Sequence, residues 1–316
     1  MSSPVVLQRR GGHVEAVHPF SAVAVRGGRV VGQLGPSMTS TWRSAAKPFQ
    51  LWCSWGALDE APCSDEELAV GAASHAGQPE HVALVRGLLQ RFELRESELA
   101  CAGHPPLWRD AYEAVVARGV PISDIHNNCS GKHTFMLGGC RNRGWSGDYR
   151  AVDHPLQQAI RALVCRLSEE EVQHGTDGCG VPSWVLSIEA MARAWSHLAQ
   201  AFHGGEERLH RIGAAMMAHP HLTSGTGRLD EELMAGRLEP MVVKIGAQGL
   251  FCLAFPDREL GVTVKVHSGS GDALGQAVAY SLEQLVPGAW LQPASWRWGT
   301  VLNVAGRKVG DRVVQP

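Results

Sequence analysis

At 316 residues, with 44% hydrophobic and 19% charged residues and a formal charge of -2, the chain reads as a globular protein with a large buried core. The near-neutral balance, without blocks of like charge, excludes an electrostatic claim on nucleic acid or anionic membrane. No run of about 18 apolar residues suggests a membrane span, and the start, MSSPVVLQRRGGH, lacks the basic segment and apolar core of a signal peptide, so a cytoplasmic location is expected.

In chain order, residues 21–33 predict a hairpin, SAVAV and RVVGQ joined through Arg26-Gly27-Gly28. Residues 44–56 predict a helix with Pro48 near its first turn, where the missing N–H costs little. Ser64 followed by Glu67 is a capping-box pattern before the apolar run LAVGAA, and residues 79–89 make the next amphipathic helix. Further helices are predicted near 108–118, 131–143, 154–167, 185–201, 206–218 and 229–235. Beyond Gly236 the character changes to MVVKIGA, GLFCLAF and LGVTVKV, short runs of β-formers separated by Gln248-Gly249 and Pro256-Asp257. A helix over 271–285 and a last strand in TVLNVAG follow. Strands at both ends of a helical middle predict an α/β fold in a single domain. Its largely antiparallel sheet comes from about 1–58 and 237–316, with packed helices, and its helical part from about 59–236.

Eight cysteines in a chain of this size without a secretion signal predict reduced thiols. Cys53, Cys140 and Cys165 lie in apolar helical patterns and read as core fillers.

The stretch Arg43-Ser44-Ala45-Ala46-Lys47-Pro48 sets a hydroxyl and an amine three residues apart, on one face of a helical turn. A serine attacks at neutral pH only when a base takes its proton, and lysine is that base only as the free amine. With an ordinary pKa of about 10.4, such a lysine needs burial or a neighbouring cation. Three other segments combine reactive groups with backbone-fixing glycines or prolines: ASHAGQPEH around Ser74, HNNCSGKHTFML around Cys129 and GTDGCGVPSW around Cys179. Lys244-Ile245-Gly246-Ala247, among the late strands, is a fourth. By spacing alone, Cys129, His133 and Cys179 nominate themselves as zinc ligands, since thiolate and imidazole are its usual partners. The plainer reading of the two cysteines is a pair of buried thiols at glycine-rich turns. Ser74 alone reads as a turn between helices, Arg43 as a surface arginine at a helix start, and His75, His104 and His126 as structural histidines.

Taken together, Asn128-Cys129-Ser130-Gly131-Lys132-His133, Gly175-Thr176-Asp177-Gly178-Cys179-Gly180 and the Ser/Lys segments resemble the asparaginase II family of rhizobial type, from about Gly11 to Gly271. The resemblance implies hydrolysis of L-asparagine to aspartate and ammonia on a fold like that of serine β-lactamases and penicillin-binding proteins. It implies two Ser/Lys tandems, Ser44 with Lys47 and Ser74 with Lys244, and zinc held by Cys129, Lys132 and Cys179 in place of the set that spacing nominates. A lysine ligates only as the free amine, so the metal must displace its proton. His133 then stands beside the metal. Two lysines near one site repel, which makes each more available as a neutral base. Ser44 is the expected nucleophile with Lys47 as its base, Ser74 and Lys244 relaying the proton; the reverse order stays open.

The expected substrate contacts are Arg43, Asn128, His133 and Asp177: Arg43 pairs with the substrate carboxylate or with Asp177, and Asp177 with the substrate ammonium or with its own turn. The partners are a small amino-acid amide and, by the resemblance, a second copy of the chain in a homodimer. Two departures bear on specificity: Phe135 stands where the family usually has glycine, and His267-Ser268-Gly269 lacks the acidic residue that often precedes the glycine. Glutamine, a β-lactam or another amide is the alternative substrate, and a non-catalytic small-molecule binder with structural zinc is the alternative of another class.

Overall fold

The computed structural model describes residues 3–293 and 296–316. The chain divides into two compact units, one from Met1–Ala45, Leu186–His203 and Gly236–Pro316, the other from Ala46–Val185 and Gly204–Ala235. Helix Lys47–Gly56 therefore belongs to the helical unit and helix Ile188–Gln200 to the sheet unit, each the reverse of its assignment from sequence.

The first unit is an antiparallel sheet made from both ends of the chain. Its strand order is Thr300–Leu302, Lys308–Gln315, Val5–Arg10, His13–Arg26, Leu260–Val266, Leu250–Phe255 and Val242–Ile245, with Arg29–Leu34 also paired to His13–Arg26. The predicted hairpin is present. Gly27 and Gly28 both take left-handed φ, 52° and 73°, as a tight turn between twisted strands requires. Leu250–Phe255 and Leu260–Val266 are buried at every position, which is why they read as unbroken apolar runs rather than alternating ones. Helix Ile188–Gln200 packs so closely that a Cβ on Gly261 would overlap the Ala192 carbonyl and the Ser196 amide. Helix Gly271–Leu285 sets Tyr280 edge-on to Phe20, ring centroids 6.0 Å apart. Lys244 lies on the terminal strand of this sheet.

The second unit is helical. Helix Asp65–Gly71 opens with the expected capping box: Glu67 N–H donates to Ser64 Oγ at 3.3 Å and Ser64 N–H to Glu67 Oε2 at 2.8 Å. Helix Ser130–Asn142 lies against it with Gly131 on the Val70 carbonyl, a contact that leaves no room for a side chain. Phe135, the ring at the family's glycine position, fills space left by another glycine: a Cβ on Gly71 would come within 2.7 Å of it. The ring is fully buried and edge-on to Phe92 at 5.5 Å. A short hairpin, Gln173–Thr176 with Pro182–Val185, occupies ground the sequence leaves to loop and helix. The helix expected from 185 starts at Ile188, where Ser187 Oγ accepts from Ala190 N–H at 3.1 Å.

All eight cysteines are free thiols. Cys53 and Cys140 are buried as core fillers, whereas Cys165 is half-exposed. Among the described residues no helix is long and apolar enough to cross a membrane.

Candidate active site

Helix Lys47–Gly56 begins with a buried lysine, and Pro48 sits in its first turn. Lys47 Nζ reaches Ala73 O at 2.5 Å, Ser74 Oγ at 2.9 Å and Asn128 O at 3.3 Å. Two carbonyls accept whatever the protonation state. As a free amine Lys47 would keep its two N–H groups on them and turn its lone pair to the Ser74 hydroxyl, the arrangement a general base needs. Burial lowers the Lys47 pKa below the ordinary lysine value; Cys129 opposes that shift and Lys132 adds to it.

Ser74 lies in the loop after helix Asp65–Gly71, 2% exposed, its N–H donating to Thr223 O at 3.1 Å. The resemblance pairs this serine with Lys244, but the lysine hydrogen-bonded to it is Lys47. A local three-residue spacing suggested Ser44 as the partner of Lys47, and the fold supplies a serine 27 residues away.

Cys129 caps helix Ser130–Asn142, which carries Lys132 one turn on. Its N–H donates to Asn127 Oδ1 at 2.8 Å, and the Asn127 amide donates to Cys101 O at 2.9 Å and Ala102 O at 2.6 Å. Its Sγ lies 3.2 Å from Asn128 Oδ1. Cys179 comes from the tip of the hairpin, in a turn closed by Asp177 N–H to Val181 O at 2.9 Å. Lys132 Nζ donates to Cys179 Sγ at 3.1 Å.

The two thiols titrate together: Cys179, with help from Lys47 and Lys132, holds Cys129 well below its ordinary pKa, and Cys129 with burial pushes Cys179 up. Burial opposes the charge of Lys132, but Cys179, Cys129 and Asp177 outweigh it and raise its pKa. Asp177 is half-buried, and its Oδ1 accepts from Gly178 N–H at 2.6 Å.

His133 Nδ1 is 2.7 Å from the Tyr149 hydroxyl, which accepts from Ala100 N–H at 3.1 Å. The hydroxyl is best satisfied by donating to Nδ1, which leaves His133 Nε2–H as a fixed donor, and Nε2 is buried without a partner among the described residues. Nothing in the local sequence marks Tyr149; only the fold brings it to His133.

One unit thus gathers Lys47, Ser74, Asn128, Cys129, Lys132, His133, Asp177 and Cys179. Arg43, Ser44 and Lys244 belong to the other unit. There Ser44 is half-buried on the 3-10 turn Arg43–Ala46, directly after Arg43 at φ 51°. A bulky residue in that region is held at a cost of about 1–3 kcal/mol, the kind of strain found where a side chain must be presented. Lys244 is fully buried, with Nζ 3.3 Å from Ile245 O.

Cys129, Lys132 and Cys179 are the residues that could hold a metal, two sulfurs and an amine nitrogen converging in a buried position. Among the described residues no three His, Cys, Asp or Glu side chains cluster as metal ligands, so the set Cys129, His133 and Cys179 nominated by spacing is not assembled. The ring nitrogen of His133 nearest a partner is committed to Tyr149.

A buried lysine hydrogen-bonded to a serine hydroxyl belongs to the chemistry of enzymes that cleave acyl bonds. The chain belongs to the L-asparaginase II family, whose model matches residues 6–314, nearly its whole length, and on that ground it is an amide-hydrolysing enzyme. No curated protein sequence matches it. Among solved structures it is similar to a β-lactamase from Mycobacterium bovis, at 14% identity and a TM-score of 0.40, over 84% of this chain and 94% of that one. A protein from Bacteroides dorei DSM 17855, provisionally described as a β-lactamase, matches at 10% identity and a TM-score of 0.45, over 83% and 93%.

Proposed function

We propose that the protein hydrolyses L-asparagine to L-aspartate and ammonia, and the observation that carries the mechanism is Lys47 Nζ at 2.9 Å from Ser74 Oγ. Lys47 takes the hydroxyl proton as Oγ attacks the side-chain amide carbon. The tetrahedral intermediate expels ammonia, which leaves with the proton returned by Lys47, and an aspartyl ester remains on the serine. Water then attacks the ester; Lys47 accepts its proton and gives it back to the serine oxygen as aspartate departs. His133 Nε2–H is a donor for the charge that develops on the carbonyl oxygen. Asp177 receives the substrate ammonium and Arg43 the carboxylate. The family resemblance assigns Lys244 the role of the second lysine in the reaction.

A second reading keeps the reaction and makes Ser44 the nucleophile, favoured by the left-handed backbone at Arg43 that presents it. Ser44→Ala and Ser74→Ala, trapped during turnover, separate the two, because only the nucleophile carries an aspartyl ester detectable by mass.

The donor set of Cys129, Lys132 and Cys179 fits zinc, since one thiol is already poised to ionise and the amine is hydrogen-bonded to the other. Bound there, the metal supplies a Lewis acid for a substrate oxygen. Three protein ligands would leave room for water or substrate at such a metal. A cytoplasmic homodimer completes the proposal.

The test is ammonia release from asparagine beside glutamine and a chromogenic β-lactam at one enzyme concentration. Turnover of either of the latter without asparagine turnover would overturn the substrate assignment.

A further inference from the structure

His75 directly follows Ser74 and is fully buried. Gly77 N–H donates to its Nδ1 at 3.2 Å, so that nitrogen bears the lone pair and Nε2 the proton. Nε2 lies 2.9 Å from Ser130 Oγ, whose own proton goes to Ile125 O at 3.0 Å, leaving the serine oxygen free to accept from the imidazole. Every donor in this chain has one acceptor, and the order fixes a single tautomer.

The ring also stacks on His81 at 5.2 Å and 14°. His81 repeats the pattern, with Nδ1 accepting from Gln78 N–H at 3.2 Å and Nε2 on His221 O at 3.0 Å. The neutral form suits the place: burial, then His81 and Lys47, hold the His75 pKa well below its ordinary value.

One end of this imidazole belongs to the loop that carries Ser74. The other holds the first residue of helix Ser130–Asn142, which carries Lys132 and is capped by Cys129. The backbone makes a parallel link, His75 N–H to Asn128 O at 3.2 Å, and the same Asn128 carbonyl accepts from Lys47. Among the described residues, that bond to the Asn128 carbonyl is the backbone hydrogen bond joining this loop to the segment leading into the helix.

We propose that His75, as its Nε2–H tautomer, is a positioning residue that sets Ser74 Oγ against Lys47 by tying the serine's loop to Ser130 at the start of the helix bearing Cys129 and Lys132. This inference rests on the Lys47 and Ser74 reading of the reaction. The residue never touches substrate; its effect is on kcat, because misplacing the hydroxyl by about 1 Å can cost on the order of 100-fold.

The experiment compares His75→Asn, His75→Gln, Ser130→Ala and the double variant His75→Asn/Ser130→Ala with the wild type on asparagine. Long-range 1H–15N spectra of the imidazole nitrogens are recorded on wild type and Ser130→Ala. Glutamine sets an amide N–H where Nε2–H stands, whereas asparagine is too short to reach Ser130. His75→Asn is expected to lower kcat by roughly 10- to 100-fold with KM within twofold, His75→Gln to recover most of the loss, and the double variant to be no worse than His75→Asn. The spectra are expected to show Nε2–H on His75 and a shift of that resonance in Ser130→Ala.

Wild-type kcat in His75→Asn, additive losses in the double variant, or a proton on Nδ1 would each overturn the proposal. If His75→Asn does not fold, Ser130→Ala carries the kinetic comparison, and unchanged kcat there overturns it. A wild type inactive on asparagine would refute the function proposed above, while the tautomer and its response to Ser130→Ala would still decide the hydrogen-bond assignment.

Discussion

Lowering the pH from 7 to 4 is expected to remove a stabilisation that His81 alone contributes. The side chain is fully buried, and burial pushes its pKa from 6.5 to about 4; the His221 carbonyl and Glu80 offset part of that shift. In the unfolded chain the same imidazole takes a proton near pH 6.5, so between the two values the unfolded state binds more protons and stability rises with pH. The contribution is complete above about pH 6.5, declines as the pH falls towards 4, and has gone below that. A difference of about 2.5 pKa units at about 1.36 kcal/mol each is roughly 3 kcal/mol. Carboxylates such as Glu80, Glu66 and Asp148, whose pKa values are lowered in the fold, lose stability over part of the same range. The readable quantity is therefore the difference from His81→Gln, in which those groups still titrate. Urea unfolding of both proteins at intervals from pH 7 to 4 should show the wild-type advantage shrinking by about 3 kcal/mol. An advantage that stays constant across that range would refute the assignment of His81 as a buried neutral imidazole.

Three further outcomes follow from the site and its supports. Lys47→Arg keeps a cation but cannot supply a free base, and ammonia release should fall by roughly 100- to 10,000-fold; in the wild type the rate should rise with pH through a Lys47 pKa below the ordinary lysine value, and a pH-independent rate would exclude Lys47 as the base. Zinc retained by purified protein, measured by elemental analysis, should be lost in Cys179→Ala, and unchanged content would dismiss Cys129, Lys132 and Cys179 as its ligands. For Gly131→Ala, helix propensity favours alanine by about 1 kcal/mol, but the new methyl would meet the Val70 carbonyl and overpacking costs about 1–3 kcal/mol. With a backbone atom as the obstacle the cost should win by about 2 kcal/mol in urea unfolding, and an unchanged or raised midpoint would contradict the close approach of the two helices.

What was legible in the sequence was local. The turn at Gly27-Gly28, the Ser64 and Glu67 box and the unbroken apolar strands Leu250–Phe255 and Leu260–Val266 announce themselves through short-range chemistry, and the structure has them. Val5–Arg10 and Lys308–Gln315 escaped because VVLQRR and KVGDRVVQ are half-exposed and charged, with little alternation to mark a strand. The last half of strand Pro182–Ser187 falls inside the helix predicted over 185–201, since a short apolar run does not by itself declare its period. The site divides in the same way. Spacing pointed to Cys129 with His133 and only the family resemblance pointed to Lys132, whereas the Lys47 bond to Ser74 and the Tyr149 bond to His133 exist only in the folded chain.

Val5–Arg10 lies between His13–Arg26 on one side and Lys308–Gln315 on the other, with Val5 opposite both Pro19 and Gln315. On the ribosome its first partner emerges at once and its second only about 300 residues later. At roughly 5–20 residues per second, that leaves one edge open for about 15–60 s. An open edge invites pairing with another nascent chain, and charged side chains are a common deterrent. Arg9 and Arg10 stand on this strand, and in the finished fold Arg9 meets Asp311 at 2.7 Å. The guanidinium that guards the edge during synthesis thus becomes the contact that marks the late strand's arrival.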